Sequence, residues 1–163
     1  MTSYRYVVDW IDRLVSWAVI ASMAVMTTIV CVQIFFRYVL NDSLSWGWDV
    51  PRFTFIWVVL LSIPLGLKLN AHVGIDILVD RFPAAAQRWV RRVNAVFMMI
   101  LCALAAWYGA QLGIQTADQM MPGIALSVSL FYIALVVSQV HCLFHLLPVL
   151  VTGELPAGSL GET

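Results

Sequence analysis

The sequence predicts an all-α membrane protein with four transmembrane helices and short amphipathic helices at the membrane surface. Its 163 residues are 62% hydrophobic and only 11% charged, a composition far from that of an ordinary soluble domain. The apolar residues are gathered into runs of about the 20 residues that a helix needs to cross a bilayer. We therefore expect one membrane domain over residues 1–150 and a flexible cytoplasmic tail over residues 151–163.

The four predicted spans follow from uncharged runs and from the turn residues between them. They cover residues 14–36, 51–69, 93–117 and 123–147. The first run is too long for the core of a signal peptide, so we expect it to be retained as a helix. Pro64 removes a backbone donor inside the second span and predicts a kink there. Pro122 and Gly123 mark a turn between the last two spans.

The start of the second span has two alternatives, because proline is tolerated only near the beginning of a helix. A helix that begins at Ser45 places Pro51 beyond the first turn, where its ring meets the carbonyl of Gly47. A helix that begins at Pro51 gives proline its preferred first position, with Asp49 or Val50 at the cap. The second arrangement is slightly favoured, and it lengthens the exposed hairpin.

Two segments beside the spans have an amphipathic pattern. Their apolar residues at helical spacing are Val7, Trp10, Ile11 and Leu14 before the first span, and Ile75, Leu78, Val79 and Phe82 after the second. Charged residues occupy the other face of each segment, a pattern typical of short helices that lie along the membrane surface. A simple connecting loop is the alternative in both places.

The basic residues predict the side of the membrane that each loop faces, because cytoplasmic loops are enriched in lysine and arginine. Those near the N-terminus and between the second and third spans are Arg5, Arg13, Lys68, Arg81, Arg88, Arg91 and Arg92. Only Arg37 and Arg52 bracket the first hairpin, and the turn at Asp118 has none. Both termini are therefore expected on the cytoplasmic side.

Charge and cysteine content argue against several classes of function. A net charge of zero argues against nucleic-acid binding, which needs clustered basic residues. Cys31, Cys102 and Cys142 lie in apolar runs without CxxC spacing, so we expect packing residues, not a disulfide or metal site. The predicted spans contain no carboxylate of the kind that a transport pathway normally needs. We expect neither an enzyme nor a cofactor site.

Small residues recur at every fourth position of the third span. They are Ala105, Gly109, Gly113 and Ala117. Such a stripe lets helix backbones approach closely. We expect a packing seam, either within this bundle or against another membrane subunit.

One block of the sequence resembles the small membrane subunit of tripartite ATP-independent periplasmic (TRAP) transporters, the DctQ-like family. The block is RYVLNDSLSWGWDVPRFTFIWVVLLSIPLGLKLNAHVGIDIL. The residues that carry the resemblance are Arg37, Tyr38, Ser43, Leu44, Ser45, Trp46, Asp49, Arg52, Phe55, Trp57, His72 and Asp76. Gly47 and Pro51 depart from the usual pattern. These motifs are structural and not catalytic.

The resemblance implies a scaffold subunit in a bacterial inner membrane. TRAP systems combine a periplasmic binding protein, a large membrane subunit that carries the substrate and sodium sites, and this small subunit. The chain is therefore expected to support the large subunit during sodium-coupled import of a small organic acid. Its expected partners are the large subunit, the binding protein and membrane lipids.

The resemblance also adds a docking role for the outer surface. The residues expected to help receive the binding protein are Asp42, Ser43, Trp46, Trp48, Asp49 and Asp118. Exposed carboxylates there would steer a partner with basic residues. Membrane anchoring is the alternative, because tryptophan suits the headgroup region and arginine marks helix ends at the interface.

Two other classes of function remain open. The first is a haem-binding membrane anchor of an electron-transfer complex, since the chain contains His72, His141 and His145. Paired haem ligands belong on facing helices, whereas His141 and His145 share one helix face, so only a shallow site with His72 and His145 is conceivable. The second is a free-standing small transporter or channel, which co-purification with a larger membrane subunit would exclude.

Overall fold

The computed structural model describes residues 2–42, 44, 46–68 and 83–152. This part of the chain forms four helices: α1 (Thr2–Val39), α2 (Asp49–Lys68), α3 (Ala84–Gln115) and α4 (Ser129–Thr152). Each is long and apolar enough to cross a membrane, over Val8–Val39, Asp49–Leu67, Ala86–Gln115 and Ser129–Val151. The predicted all-α membrane fold with four spans is confirmed.

Helix α1 is much longer than the first predicted span. Its 38 residues extend for about 57 Å at 1.5 Å per residue, against roughly 30 Å for the hydrocarbon core. The prediction of a separate surface helix before this span is wrong, because Trp10 and Leu14 lie in α1 itself. No proline or glycine interrupts residues 2–39, so the helix has no local reason to break. The second predicted surface segment, at residues 75–82, lies outside the described residues.

The hairpin between α1 and α2 begins at Asn41, whose φ of 50° is a left-handed conformation that asparagine tolerates at helix ends. Residues 46–48 form a turn that leads directly into α2. Helix α2 begins at Asp49, between the two predicted starts, and Pro51 is its third residue. Proline is tolerated there because the first backbone N–H groups of a helix have no intrahelical acceptor.

The helices pack in the order α1, α2, α4, α3. Helix α2 contacts both α1 and α4, and α4 also contacts α3. The main buried cluster lies chiefly between α3 and α4 and consists of Ala95, Cys102, Cys142, Leu146 and Val149. The most apolar stretch of α1 has no buried residue, so one side of this helix is left uncovered by the rest of the described chain.

Consecutive helices run in opposite directions, which gives the bundle two distinct ends. We call the end that holds residues 40–42, 44, 46–48 and 116–128 the hairpin end, and the opposite end the terminal end. The loop between α3 and α4 is longer than the predicted turn, because Met121 and Val128 donate backbone hydrogen bonds to Leu126 and Gln119, at 2.9 Å and 2.8 Å. Helix α4 consequently starts at Ser129. It continues to Thr152, and the rest of the predicted tail lies outside the described residues.

Candidate functional site

One hydrogen bond joins the two loops of the hairpin end. The backbone N–H of Gly123 donates to Oδ2 of Asp49 at 2.6 Å. Asp49 is half-buried and lies in the first turn of α2, where the helix dipole favours a negative charge. This bond holds the loop between α3 and α4 against the start of α2, so the predicted docking residues of both loops lie at the same end of the bundle.

The other predicted docking residues differ in exposure. Asp42 and Asp118 are both exposed, so their carboxylates face outward from the two loops. Trp48 is 67% exposed and Trp46 is 36% exposed, which leaves both indoles accessible to lipid headgroups or a partner. Ser43 lies outside the described residues.

A groove of about 410 Å³ lies between α2 and α4 at this end, and Asp49 and Arg52 are the charged residues that line it. The guanidinium carbon of Arg52 is 5.8 Å from the ring centroid of Phe131, a distance at which a cation and an aromatic face attract. Apolar side chains, among them Leu60 and Leu135, line the deeper part. The groove therefore combines a charged mouth with apolar walls.

The residues that carried the family resemblance lie mainly around this end. Arg37 and Tyr38 are exposed in the last turn of α1, and the Arg37 guanidinium carbon is 5.8 Å from the Tyr38 ring centroid. Trp57 packs on Phe53 with the ring centroids 5.9 Å apart. The buried indole N–H of Trp57 has no hydrogen-bond acceptor among the described residues. His72 and Asp76 lie outside the described part of the chain.

The two glycines of the small-residue stripe face α4. A Cβ atom added to Gly109 would lie 3.0 Å from Cδ2 of Leu135, and one added to Gly113 would lie 3.3 Å from Cβ of Tyr132. Both positions therefore serve close packing within this chain. Ala105 is half-buried and Ala117 is exposed.

A buried polar cluster at the terminal end was missed by the sequence interpretation. Oδ1 of Asp12 in α1 lies 2.8 Å from Nε2 of His141 and 2.9 Å from Nε2 of His145, both in α4. All three residues are 5% exposed. Asp12 belongs to the membrane-length segment of α1, so a buried carboxylate lies in this helix two residues before the first predicted span.

The cluster also bears on the haem alternative. His141 and His145 project from adjacent turns of one helix, with ring centroids 4.9 Å apart, and both direct Nε2 to the same Asp12 oxygen. They do not face each other across the bundle as paired haem ligands would. The sequence signal for the cluster was the spacing of four residues between two histidines in an apolar run, which requires a polar partner on a neighbouring helix.

Comparison with known proteins places this architecture in a family. Residues 26–154 match the family described as tripartite ATP-independent periplasmic transporters, DctQ component. A Haemophilus influenzae protein provisionally named a TRAP transporter small permease protein is 25% identical over 141 residues, which are 86% of each chain. The C4-dicarboxylate TRAP transporter small permease protein DctQ of Rhodobacter capsulatus is 27% identical over 120 residues, 70% of this chain and 53% of that protein.

A longer relative contains a similar region. The isethionate TRAP transporter permease protein DctMQ of Oleidesulfovibrio alaskensis is 28% identical over 127 residues, which are 73% of this chain but 20% of that protein. The family match covers most of the present chain, and the four membrane-length helices agree with a permease component. This protein therefore belongs to the DctQ component family and is a small permease subunit of a TRAP transporter.

Proposed function

We propose that this subunit is a non-catalytic scaffold of a sodium-coupled importer of small organic acids, and that its hairpin end helps to dock the periplasmic binding protein. The scaffold would hold a large membrane subunit that contains the binding sites for substrate and sodium. The observation that carries the docking part is the bond between Asp49 and Gly123, at 2.6 Å. It unites the two loops that bear the exposed carboxylates.

The uncovered face of α1 supports the scaffold role. Trp17, Ile20, Val25 and Ile34 are each at least 51% exposed in the isolated chain. In a bilayer this surface is available both to lipid tails and to a second membrane subunit. The relative DctMQ supports such a partnership, because the region similar to this chain is only 20% of that permease.

The exposed carboxylates support a role in guiding the binding protein. Asp42 and Asp118 are exposed at the hairpin end, and solvent-exposed charges mainly accelerate the encounter of partners with complementary charge. The exposed indole of Trp48 adds a large apolar contact surface beside them. Asp49 has a different role, because its carboxylate is engaged by Gly123.

Charge distribution supports placing the terminal end in the cytoplasm and the hairpin end in the periplasm. Arg13, Arg88 and Arg92 lie at the terminal end and are exposed, and arginine is enriched on the cytoplasmic side of membrane proteins. Arg92 also donates to the backbone oxygen of Val151 at 3.3 Å, which ties the start of α3 to the end of α4. The proposed location is the bacterial inner membrane.

The names of relatives support an organic acid as the substrate class. They include TRAP transporter subunits for C4-dicarboxylate, isethionate and sialic acid. All three compounds are organic anions, and the proposal assigns their recognition to the large subunit and the binding protein.

The test is reconstitution of this chain with its large membrane subunit in vesicles, with the binding protein added outside. We expect the two membrane subunits to co-purify. Uptake of one of the three organic anions should require this chain, the binding protein and an inward sodium gradient. Uptake that is unchanged without this chain, or two membrane subunits that do not associate, would contradict the scaffold proposal. Uptake that is independent of sodium would contradict the coupling alone.

A further inference from the structure

The buried cluster of Asp12, His141 and His145 has the composition of a metal site. Each residue offers one ligand atom, and the three atoms lie within 4.8 Å of one another. Imidazole nitrogen and carboxylate oxygen are both common zinc ligands. The two histidines are four residues apart on α4, which places both rings on one face of the helix, and the carboxylate approaches from α1.

The ligand atoms are near enough to one another to share one ion after a rearrangement of the rings. In a tetrahedral site with zinc bonds of 2.0 to 2.1 Å, neighbouring ligand atoms are roughly 3.3 Å apart. The Asp12 oxygen lies 2.8 Å and 2.9 Å from the two Nε2 atoms, which are hydrogen-bond distances. The three ligand atoms lie within 4.8 Å of one another, so an ion would have to move both Nε2 atoms away from the Asp12 oxygen and set them about 3.3 Å from each other.

Burial makes a compensating positive charge valuable at this position. Asp12 is 5% exposed within a membrane-length segment, and a buried carboxylate is costly unless it is paired or binds a metal. A divalent cation would satisfy the carboxylate and both imidazoles at once. Three protein ligands would leave a fourth position for water or for a neighbouring group.

We propose that Asp12, His141 and His145 bind a divalent first-row transition-metal ion, with Zn²⁺ as the occupant. The ion would join the N-terminal part of α1 to the C-terminal part of α4. Helix α1 otherwise packs mainly on α2, and its most apolar stretch has no buried residue among those the structure describes, so the ion would give this helix a second attachment. The ion would hold together two helices that are distant in sequence.

The first experiment measures metal binding by the purified full-length chain in detergent after chelator treatment. With added Zn²⁺ and removal of excess, we expect one ion per chain by elemental analysis. With Co²⁺ as the probe, we expect the intense visible absorption of a four-coordinate complex. Zinc-edge X-ray absorption on the unaltered chain should give two imidazole nitrogens and carboxylate oxygen at about 2.0 to 2.2 Å.

The Zn²⁺ affinity of substituted chains tests whether these residues are the ligands. Asp12→Asn and His145→Gln should each lower the affinity for Zn²⁺ more than roughly 100-fold, since loss of a mere outer-shell partner already costs 10 to 100-fold. His72→Gln is the matched control, because it removes the remaining histidine, and it should bind Zn²⁺ like the unaltered chain. Circular dichroism checks that the variants remain helical.

Several results would overturn the proposal and leave a cluster held by hydrogen bonds only. The first is that the unaltered chain binds no Zn²⁺. The second is that Asp12→Asn and His145→Gln both bind Zn²⁺ with the affinity of the unaltered chain. Loss of binding in His72→Gln alone would also overturn it. If the cluster variants fail to fold, the X-ray absorption spectrum of the unaltered chain decides, because sulfur ligands or an absence of imidazole exclude this site.

Discussion

The hydroxyl of Ser138 in α4 donates a hydrogen bond of 2.5 Å to the backbone oxygen of Leu60 in α2. In an uninterrupted helix this oxygen would accept from the backbone N–H four residues later, but residue 64 is proline and has none. Ser138 and Pro64 are both fully buried. A side chain of one helix therefore replaces the donor that proline removes from another, and this joins α2 to α4.

Ser138→Ala should destabilise the chain by about 1 to 2 kcal/mol, because the Leu60 oxygen would be buried without a donor. The cost should be smaller in a Pro64→Ala background, where the backbone N–H of residue 64 is restored. A double-mutant cycle of unfolding free energies in detergent measures this coupling.

Ser62→Ala is the control for Ser138→Ala, because the Ser62 hydroxyl donates to Val58 within its own helix, at 2.7 Å. It should lower the free energy of unfolding by less than about 0.5 kcal/mol, since it leaves the backbone hydrogen bonds of α2 intact. Equal costs of Ser138→Ala in the two backgrounds would show that the serine acts independently of Pro64.

Asp49→Ala should destabilise the hairpin end by about 2 kcal/mol, because it removes a charge-assisted hydrogen bond to Gly123 and a negative charge at a helix N-terminus. Amide hydrogen exchange should accelerate at residues 119–128. Asp42→Ala, an exposed change in the same hairpin, should have little effect on either quantity. If the two variants exchange alike, Asp49 does not hold the loop.

Gly109→Leu should destabilise the isolated chain by about 1 to 3 kcal/mol, because the new side chain would be forced against Leu135. Gly66→Leu is a matched control in another membrane-length helix, where an added Cβ meets no atom within 4 Å. Thermal unfolding of the purified chain measures both. Equal melting temperatures would contradict the assignment of this seam to the contact between α3 and α4.

The spans were predictable because a long uncharged run in a bilayer must pair its backbone N–H and C=O groups with each other, and a helix does this within one segment. The N-terminal extension of α1 was not, since Asp12 looks like a surface residue until its partners are known. Those partners, His141 and His145, are more than 120 positions away. Their pairing depends on how α1 and α4 pack, which local periodicity does not encode.

At the hairpin end, too, some features were predictable from the sequence and others depend on tertiary contacts. Its tryptophans and acidic residues were visible in the sequence, and the turn at Pro122 was expected. The start of α4 was placed too early, because Ser127 holds the preceding residues in a loop through a hydrogen bond of 2.7 Å to the backbone oxygen of Ala117. The bond between Asp49 and Gly123 likewise depends on contact between two loops, which the sequence near either residue does not encode.

Docking of the binding protein at the hairpin end is tested by a charge reversal of its exposed carboxylates. The variant combines Asp42→Lys and Asp118→Lys and leaves Asp49 intact. Asp9→Lys is the control, because it makes one such substitution at an exposed position of the terminal end and changes the charge by two units, against four in the double variant. Both variants must first be shown to assemble normally with the large subunit.

The decisive measurement is the association rate of the loaded binding protein with the reconstituted complex, taken over a range of ionic strengths. For the double variant we expect a rate roughly tenfold lower at low salt, with a difference that shrinks as salt screens the charges. The Asp9→Lys complex should match the unaltered one. An association rate equal to that of the unaltered complex at every ionic strength would contradict docking at the hairpin end.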